Sequence, residues 1–112
     1  IIIVAQCADG SGAVPEWFEG AESPEDVIDR FIKNGWSPKA HAKPFLLARP
    51  LSNFKVIAVC EGIDRETLEK MFMIPAATLE EAYKKALDLC DTENPKILIL
   101  PCAGDVIPMI KK

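Results

Sequence analysis

Histidine is scarce in this sequence, and its cysteines stand far apart. There is one histidine, His41, and the four cysteines at positions 7, 60, 90 and 102 form no C-x-x-C pair. Zinc knuckles and thioredoxin-like redox motifs need closely spaced Cys or His side chains, so the sequence excludes both. A chain with this much apolar material does not depend on disulfides either. We therefore expect four reduced thiols and a cytoplasmic protein.

Long apolar runs and an excess of basic residues are also missing. The longest apolar runs, Ile1–Ala5 and Ile97–Cys102, fall far short of the ~20 residues that span a membrane. Thirteen Lys and Arg residues against seventeen Asp and Glu give a net charge of −4, without a basic stripe that could neutralise a phosphate backbone. We expect neither a membrane nor a nucleic acid as a partner.

The length and composition are those of one globular domain. The chain has 112 residues, of which 49% are hydrophobic and 27% are charged, which is too apolar for a disordered chain. It begins without methionine, inside the strand-forming run Ile1–Val4, where a native start rarely falls. We predict a single α/β domain over residues 1–112 that belongs to a longer protein.

Four apolar segments rich in β-branched residues predict strands. They are apolar throughout rather than alternating, and amphipathic helices separate them, which is typical of a parallel sheet covered on both faces. The predicted class is α/β: a three-layer sandwich with a mainly parallel four-stranded sheet, Rossmann-like. The predicted strands are Ile1–Gln6, Phe54–Cys60, Met73–Ala77 and Lys96–Leu100.

Capping signals predict where the helices begin. A hydroxyl, an acid or a capping box precedes an amphipathic run in three places, and a fourth helix contains a proline that should shorten or bend it. The first predicted helix starts at Ser23-Pro24 and ends at Asn34-Gly35, and the second covers roughly Pro44–Leu51. The third starts at Asp64 and ends near Phe72, and the fourth starts at the capping box Thr78-Leu79-Glu80-Glu81.

Ligands of open parallel sheets bind outside the carboxyl ends of the strands. The loops expected there are Cys7–Gly12, Cys60–Gly62 and Cys102–Asp105, each with a glycine and an acid. Gly10 and Gly12 would let the backbone approach a small molecule that Asp9, Glu61 or Asp105 binds. The alternative is that these loops use Gly and Asp for turn chemistry alone. Their spacing matches neither the G-x-G-x-x-G fingerprint nor a P-loop.

Three further features each allow two interpretations. Cysteines at the ends of three predicted strands could bind a soft metal together, or they could be small buried hydrophobic residues. His41 could contact an anion together with Lys43 and Arg49, or it could be an exposed loop residue. Trp36 could form an aromatic wall at a domain interface, or it could pack at the helix exit. The three cysteines concerned are Cys7, Cys60 and Cys102.

Four stretches stand in a fixed order and together span nearly the whole chain. They are Cys-Ala-Asp-Gly-Ser-Gly at residues 7–12, the Ala48-Arg49 helix before the second strand, Met73–Ala82, and Leu100–Gly104 with the Lys111-Lys112 end. In this order and spacing they resemble the C-terminal domain of the nickel-dependent lactate racemases.

This resemblance implies an isomerase that racemises or epimerises a 2-hydroxy acid by hydride transfer to a nickel pincer nucleotide. The family's tethering lysine, nickel-ligand histidine and acid/base histidines belong to its N-terminal domain, which would be the partner of this chain and would bring the substrate. The resemblance therefore implies that this chain holds no catalytic, cofactor-binding or metal-ligating residue, and that the isolated chain is inactive.

Two departures leave the substrate open. The family's Asp-Gln-Trp stretch falls on Ala40-His41-Ala42, and Pro101-Cys102 stands where relatives often have Pro-Asp. Another 2-hydroxy acid or a sugar acid is therefore compatible with the sequence. The rival interpretation is a non-catalytic Rossmann-like module that binds a small molecule or a partner.

A domain that packs against another part of its protein should expose apolar surface when it stands alone. We expect that surface at the strand-end rim, around Val14, Trp17, Trp36 and His41. The residues predicted to line a cleft or to contact the other domain are Asp9, Gly10, Gly12, Trp36 and His41.

Overall fold

A computed structural model describes residues 1–34, 42–107 and 109 of the chain. Strands and helices alternate along most of it, and two short 3-10 turns are added at Pro15–Phe18 and Ala103–Asp105. The main elements are β1 (Ile2–Ala5), α1 (Pro24–Asn34), α2 (Ala42–Leu51), β2 (Ile57–Cys60), α3 (Arg65–Lys70), β3 (Ile74–Ala76) and α4 (Leu79–Asp88). Among the described residues, no helix is both long enough and apolar enough to cross a lipid bilayer.

The strands form a parallel sheet in the order β1-β2-β3. Ile2 is the register partner of Ile57, and Ile57 is the partner of Ile74. β2 is therefore the central strand, and the carboxyl ends of β1 and β2 lie side by side. This confirms the predicted α/β class with a parallel sheet.

Successive residues of the central strand point to opposite faces of the sheet, and each face has its own core. Val56 and Ala58 pack with residues of α1, α2, α3 and the first 3-10 turn, while Ile57 packs with Ala76 and with Ala82 of α4. The helices therefore cover the sheet from both sides and make three layers. The buried residues of the larger core are Phe18, Val27, Ala48, Leu51, Val56, Ala58, Leu68 and Met71.

The predicted fourth strand is wrong, because the sheet contains three strands in the described part of the chain. Residues 95–100 have no strand assignment, and Leu98 and Ile99 are 75% and 77% exposed. Composition alone favours a strand there, but a strand exists only where its backbone hydrogen-bonds to a neighbour. β1 is consequently an edge strand, and its Val4 is 62% exposed rather than buried as expected.

The predicted capping signals are confirmed at the starts of α3 and α4. Asp64 accepts a hydrogen bond from the backbone N–H of Thr67 at 2.9 Å and another from the Thr67 hydroxyl at 2.7 Å, and these bonds lower the pKa of the Asp64 carboxyl. At α4, the Thr78 hydroxyl accepts from the Glu81 N–H at 3.1 Å, and the Glu81 carboxylate accepts from the Ala77 N–H at 2.8 Å.

Glu81 also belongs to a short chain of charges on one side of α4. Its carboxylate lies 2.7 Å from the Lys85 ammonium, and Lys85 in turn donates to the carbonyl of Pro75 in β3 at 2.7 Å. The Lys85 hydrogen bond, followed by the Ala77 N–H, lowers the pKa of Glu81. This side of α4 therefore faces β3.

The capping box at α4 can be tested by removing the Thr78 hydroxyl. Thr78→Ala leaves the Glu81 N–H without its partner and should lower the free energy of unfolding by ~1 kcal/mol, the usual cost of losing an N-cap. Thr78→Ser keeps a hydroxyl at the same position and should lose much less. Urea unfolding of the three proteins measures the difference, and equal losses for Ala and Ser would contradict the capping role.

Candidate functional site

The loops that follow β1 and β2 are in direct contact at the carboxyl end of the sheet. The Gly62 N–H donates to the Gln6 carbonyl at 3.0 Å, which extends the strand pairing beyond the register pair Ala5 and Cys60. The first loop then turns tightly, because the Gly10 N–H donates to the Cys7 carbonyl at 2.8 Å. Two of the three predicted loops therefore form one rim.

Gly62 has no room for a side chain. A Cβ atom at this position would lie 1.8 Å from the Cys7 carbonyl oxygen and 2.6 Å from its carbon. Both are backbone atoms, which cannot move aside without shifting the first loop. The lack of a side chain at Gly62 therefore allows the two loops to approach each other.

Gly10 and Gly12 lie in the same loop with φ values of +69° and +56°. Glycine adopts this left-handed conformation without strain, which explains both residues as turn residues. Around Gly12 an added Cβ would meet nothing within 4 Å, so the backbone conformation alone favours glycine there. Asp9 is exposed in this turn, and Glu61 is exposed in the loop that follows β2.

Cys7 is a non-glycine residue in the left-handed region, with φ +51°. It stands directly at the crossing of the two loops and is partly buried, as is Cys60. A hydrogen bond with the Cys60 thiol, followed by burial and by the charge of a Cys60 thiolate, raises the pKa of Cys7. The sequence placed both cysteines at strand ends, where they could lie close together at one rim, and the strand register brings their two loops side by side.

The third predicted loop, Cys102–Asp105, does not follow a strand of the sheet, so no strand end places it at this rim. Its position depended on a strand over Lys96–Leu100, and that segment pairs with no strand in the described part of the chain. Cys102 is exposed, and the described residues contain no group of three His, Cys, Asp or Glu side chains that could hold a metal ion. Of the two interpretations of these cysteines, a metal site shared by Cys102 with Cys7 and Cys60 is therefore not supported by the described residues. Trp36 and His41 lie outside the residues that the structure describes.

Of the residues expected to form an apolar surface at the rim, the structure describes Val14 and Trp17. Both are half-buried against this domain's own core, and the Trp17 and Phe31 rings are tilted against each other with centroids 5.5 Å apart. The exposed apolar side chains of α4 are instead Leu79, Tyr83 and Leu87, which are spaced four residues apart.

These three side chains lie along one side of α4, since residues four apart in a helix share a face. Lys85 faces β3 from the opposite side of the helix, so the three point toward the side where β1 ends the sheet. We call Val4, Leu79, Tyr83 and Leu87 the α4–β1 surface. Its members are 62%, 55%, 43% and 37% exposed, respectively.

Comparisons with known proteins agree on one family. Residues 1–107 match the family model described as the lactate racemase C-terminal domain. A lactate racemase of Thermoanaerobacterium thermosaccharolyticum is 35% identical over 117 aligned positions, which cover 96% of this chain and 26% of the relative. The structure of the lactate racemase apoprotein from the same organism is similar with a TM-score of 0.73 and 38% identity, over 81% of this chain and 23% of that one. The chain thus spans about a quarter of the length of the relatives it matches.

Substitution of Gly62 tests the contact between the rim loops. Gly62→Ala places a methyl group against the Cys7 carbonyl and should cost roughly 1–3 kcal/mol of unfolding free energy, the usual penalty of forcing atoms into occupied space. Gly104→Ala is the matched control, because nothing lies within 4 Å of its Cβ position. Denaturant unfolding compares them, and a neutral Gly62→Ala would show that the loops do not meet as described.

Proposed function

Because the chain belongs to the lactate racemase C-terminal domain family, we propose that residues 1–112 are the C-terminal domain of a longer isomerase that racemises or epimerises a 2-hydroxy acid. The family match over residues 1–107 is the observation that carries this proposal. The substrate is lactate or a related 2-hydroxy acid, since the departures at residues 40–42 and 101–102 leave its identity open. The four free thiols support a reducing, cytoplasmic compartment.

The resemblance also implies hydride transfer to a nickel pincer nucleotide in the full-length protein. The described residues of this chain do not fit that group. They contain no cluster of three potential metal ligands, and the raised pKa of Cys7 opposes the thiolate form that nickel would bind. We therefore assign the cofactor and its chemistry to the N-terminal part of the longer protein.

The contribution of this chain is a folded domain with a surface that contacts the rest of the longer protein. The α4–β1 surface and the segment around Leu98 and Ile99 each expose large apolar side chains, and such exposure usually marks a contact with another part of a protein. We assign them to the contact with the rest of the longer protein. Separately from this surface, we propose Asp9, Gly10, Gly12, Trp36 and His41 as residues that line a cleft or contact the other domain.

No observation at the rim favours the alternative, a non-catalytic binding module. Two surface grooves of the described residues lie away from the strand ends. One follows α2 and is lined by Arg49 and Phe54 among others, and the second is lined by Asp29, Arg30 and Lys33 of α1 with their neighbours.

The proposed activity is tested by comparing the intact reading frame with the isolated chain. The full-length protein, produced with the nickel cofactor available, should interconvert the enantiomers of lactate or of a related 2-hydroxy acid. The isolated chain should do neither this nor bind nickel in stoichiometric amount. Chiral chromatography and metal analysis measure both. Racemisation by the isolated chain, or an intact reading frame without an upstream domain, would contradict the proposal.

The proposed contact surface is tested by a charge placed on it. Tyr83→Glu should destabilise the full-length protein by about 2 kcal/mol, because burying an unpaired polar group costs that order of free energy, but should leave the isolated chain almost unchanged. Lys84→Glu, on the neighbouring exposed position of α4, is the control and should be tolerated in both. Thermal unfolding of both forms measures the effect, and an equal response of Tyr83→Glu and Lys84→Glu in the full-length protein excludes Tyr83 from the contact.

A further inference from the structure

The cysteines at the ends of β1 and β2 lie next to each other in the fold although they are far apart in the sequence. Cys60 is the last residue of β2, and its register partner Ala5 stands two residues before Cys7. The Cys60 sulfur lies 4.0 Å from the carbonyl oxygen of Gln6, the residue immediately before Cys7. The neighbouring Cys60 thiol also raises the pKa of Cys7. The strand register therefore builds a dithiol at the rim.

This dithiol is accessible to small reagents. Cys7 and Cys60 are both partly exposed, and both are free thiols. Cys60 also packs against the larger core, which holds its side chain on one face of the sheet. Cys7 is held by the tight turn through its own carbonyl, which accepts from the Gly10 N–H at 2.8 Å. The backbone therefore holds both cysteines at the place where the two loops meet.

We propose that Cys7 and Cys60 form a reactive dithiol that low-molecular-weight disulfides oxidise to an intrachain disulfide. This is a modification site of the rim, and it does not depend on the racemase activity. The other two cysteines, Cys90 and Cys102, are exposed free thiols, and they serve as an internal comparison within the same chain.

The reaction proceeds by two exchanges that together move two electrons. In the first, the Cys60 thiolate attacks one sulfur of the disulfide RSSR, a Cys60–SR bond forms, the S–S bond of the reagent breaks, and RS⁻ leaves and takes up a proton. In the second, Cys7 loses its proton, its sulfur attacks the Cys60 sulfur, and a second RS⁻ leaves and is protonated. The sum is one dithiol plus RSSR giving one protein disulfide plus two RSH.

The two exchanges can also begin at Cys7, because either thiolate can make the first attack. The second cysteine then resolves the mixed disulfide. The left-handed φ of +51° at Cys7 is the kind of backbone strain that persists at positions with a special role.

The test uses oxidised glutathione as the reagent and the chain as it stands. After incubation and acid quenching, free thiols are alkylated and the protein is digested for peptide mapping. We expect one linked peptide pair that contains Cys7 and Cys60, while Cys90 and Cys102 carry the alkylating group or separate glutathione. Alkylation of Cys7 and Cys60 to the same extent as Cys90 and Cys102, or separate glutathione on each, would overturn the proposal.

Two variants test the second exchange, in which the mixed disulfide becomes the intrachain disulfide. Cys7→Ser should stop the reaction at the first exchange, so that the glutathione adduct of Cys60 accumulates several-fold over the wild-type level. Cys90→Ser is the matched control and should form the Cys7–Cys60 link at the wild-type rate. If Cys7→Ser fails to fold, the peptide map of Cys90→Ser decides, because absence of the link in that folded protein refutes the site.

Discussion

Parallel pairing along both edges of β2 joins the beginning of the chain to its middle. The Ile57 N–H donates to the Ile1 carbonyl at 2.8 Å, and on the other edge the Ile74 N–H donates to the Val56 carbonyl at 2.8 Å. Alternate side chains of the same strand belong to the two cores, one under α1 to α3 and one under α4. Both cores and the rim therefore depend on one four-residue strand, whose buried backbone groups must all be paired.

Local signals in the sequence predicted most of the fold because they act within a few residues. The caps at Asp64 and Thr78 need only the first turn of a helix, and both form as expected. The prediction of a strand over Lys96–Leu100 was wrong because strand pairing depends on a partner elsewhere in the chain, which apolar composition does not specify. The predicted position of the third rim loop was wrong for the same reason, since it depended on that strand.

The candidate site shows the same limit. The sequence could place Cys7 and Cys60 at strand ends, and it could identify Gly10 and Gly12 as turn residues. It could not show that the Cys7 carbonyl occupies the space where a Gly62 side chain would stand, because that contact joins two separate loops. Register, not composition, decides which groups become neighbours across the sheet.

The unpaired segment between Pro95 and Pro101 has a consequence for the behaviour of the isolated chain in concentrated solution. Apolar, β-branched residues with unpaired backbone groups are templates for edge-to-edge association and for cross-β stacking, and Ile97, Leu98 and Ile99 are 60%, 75% and 77% exposed. Proline has no N–H to donate and interrupts such a ladder. The two flanking prolines therefore limit such a ladder to the five residues between them, and a single pair of strands is marginally stable at best in water.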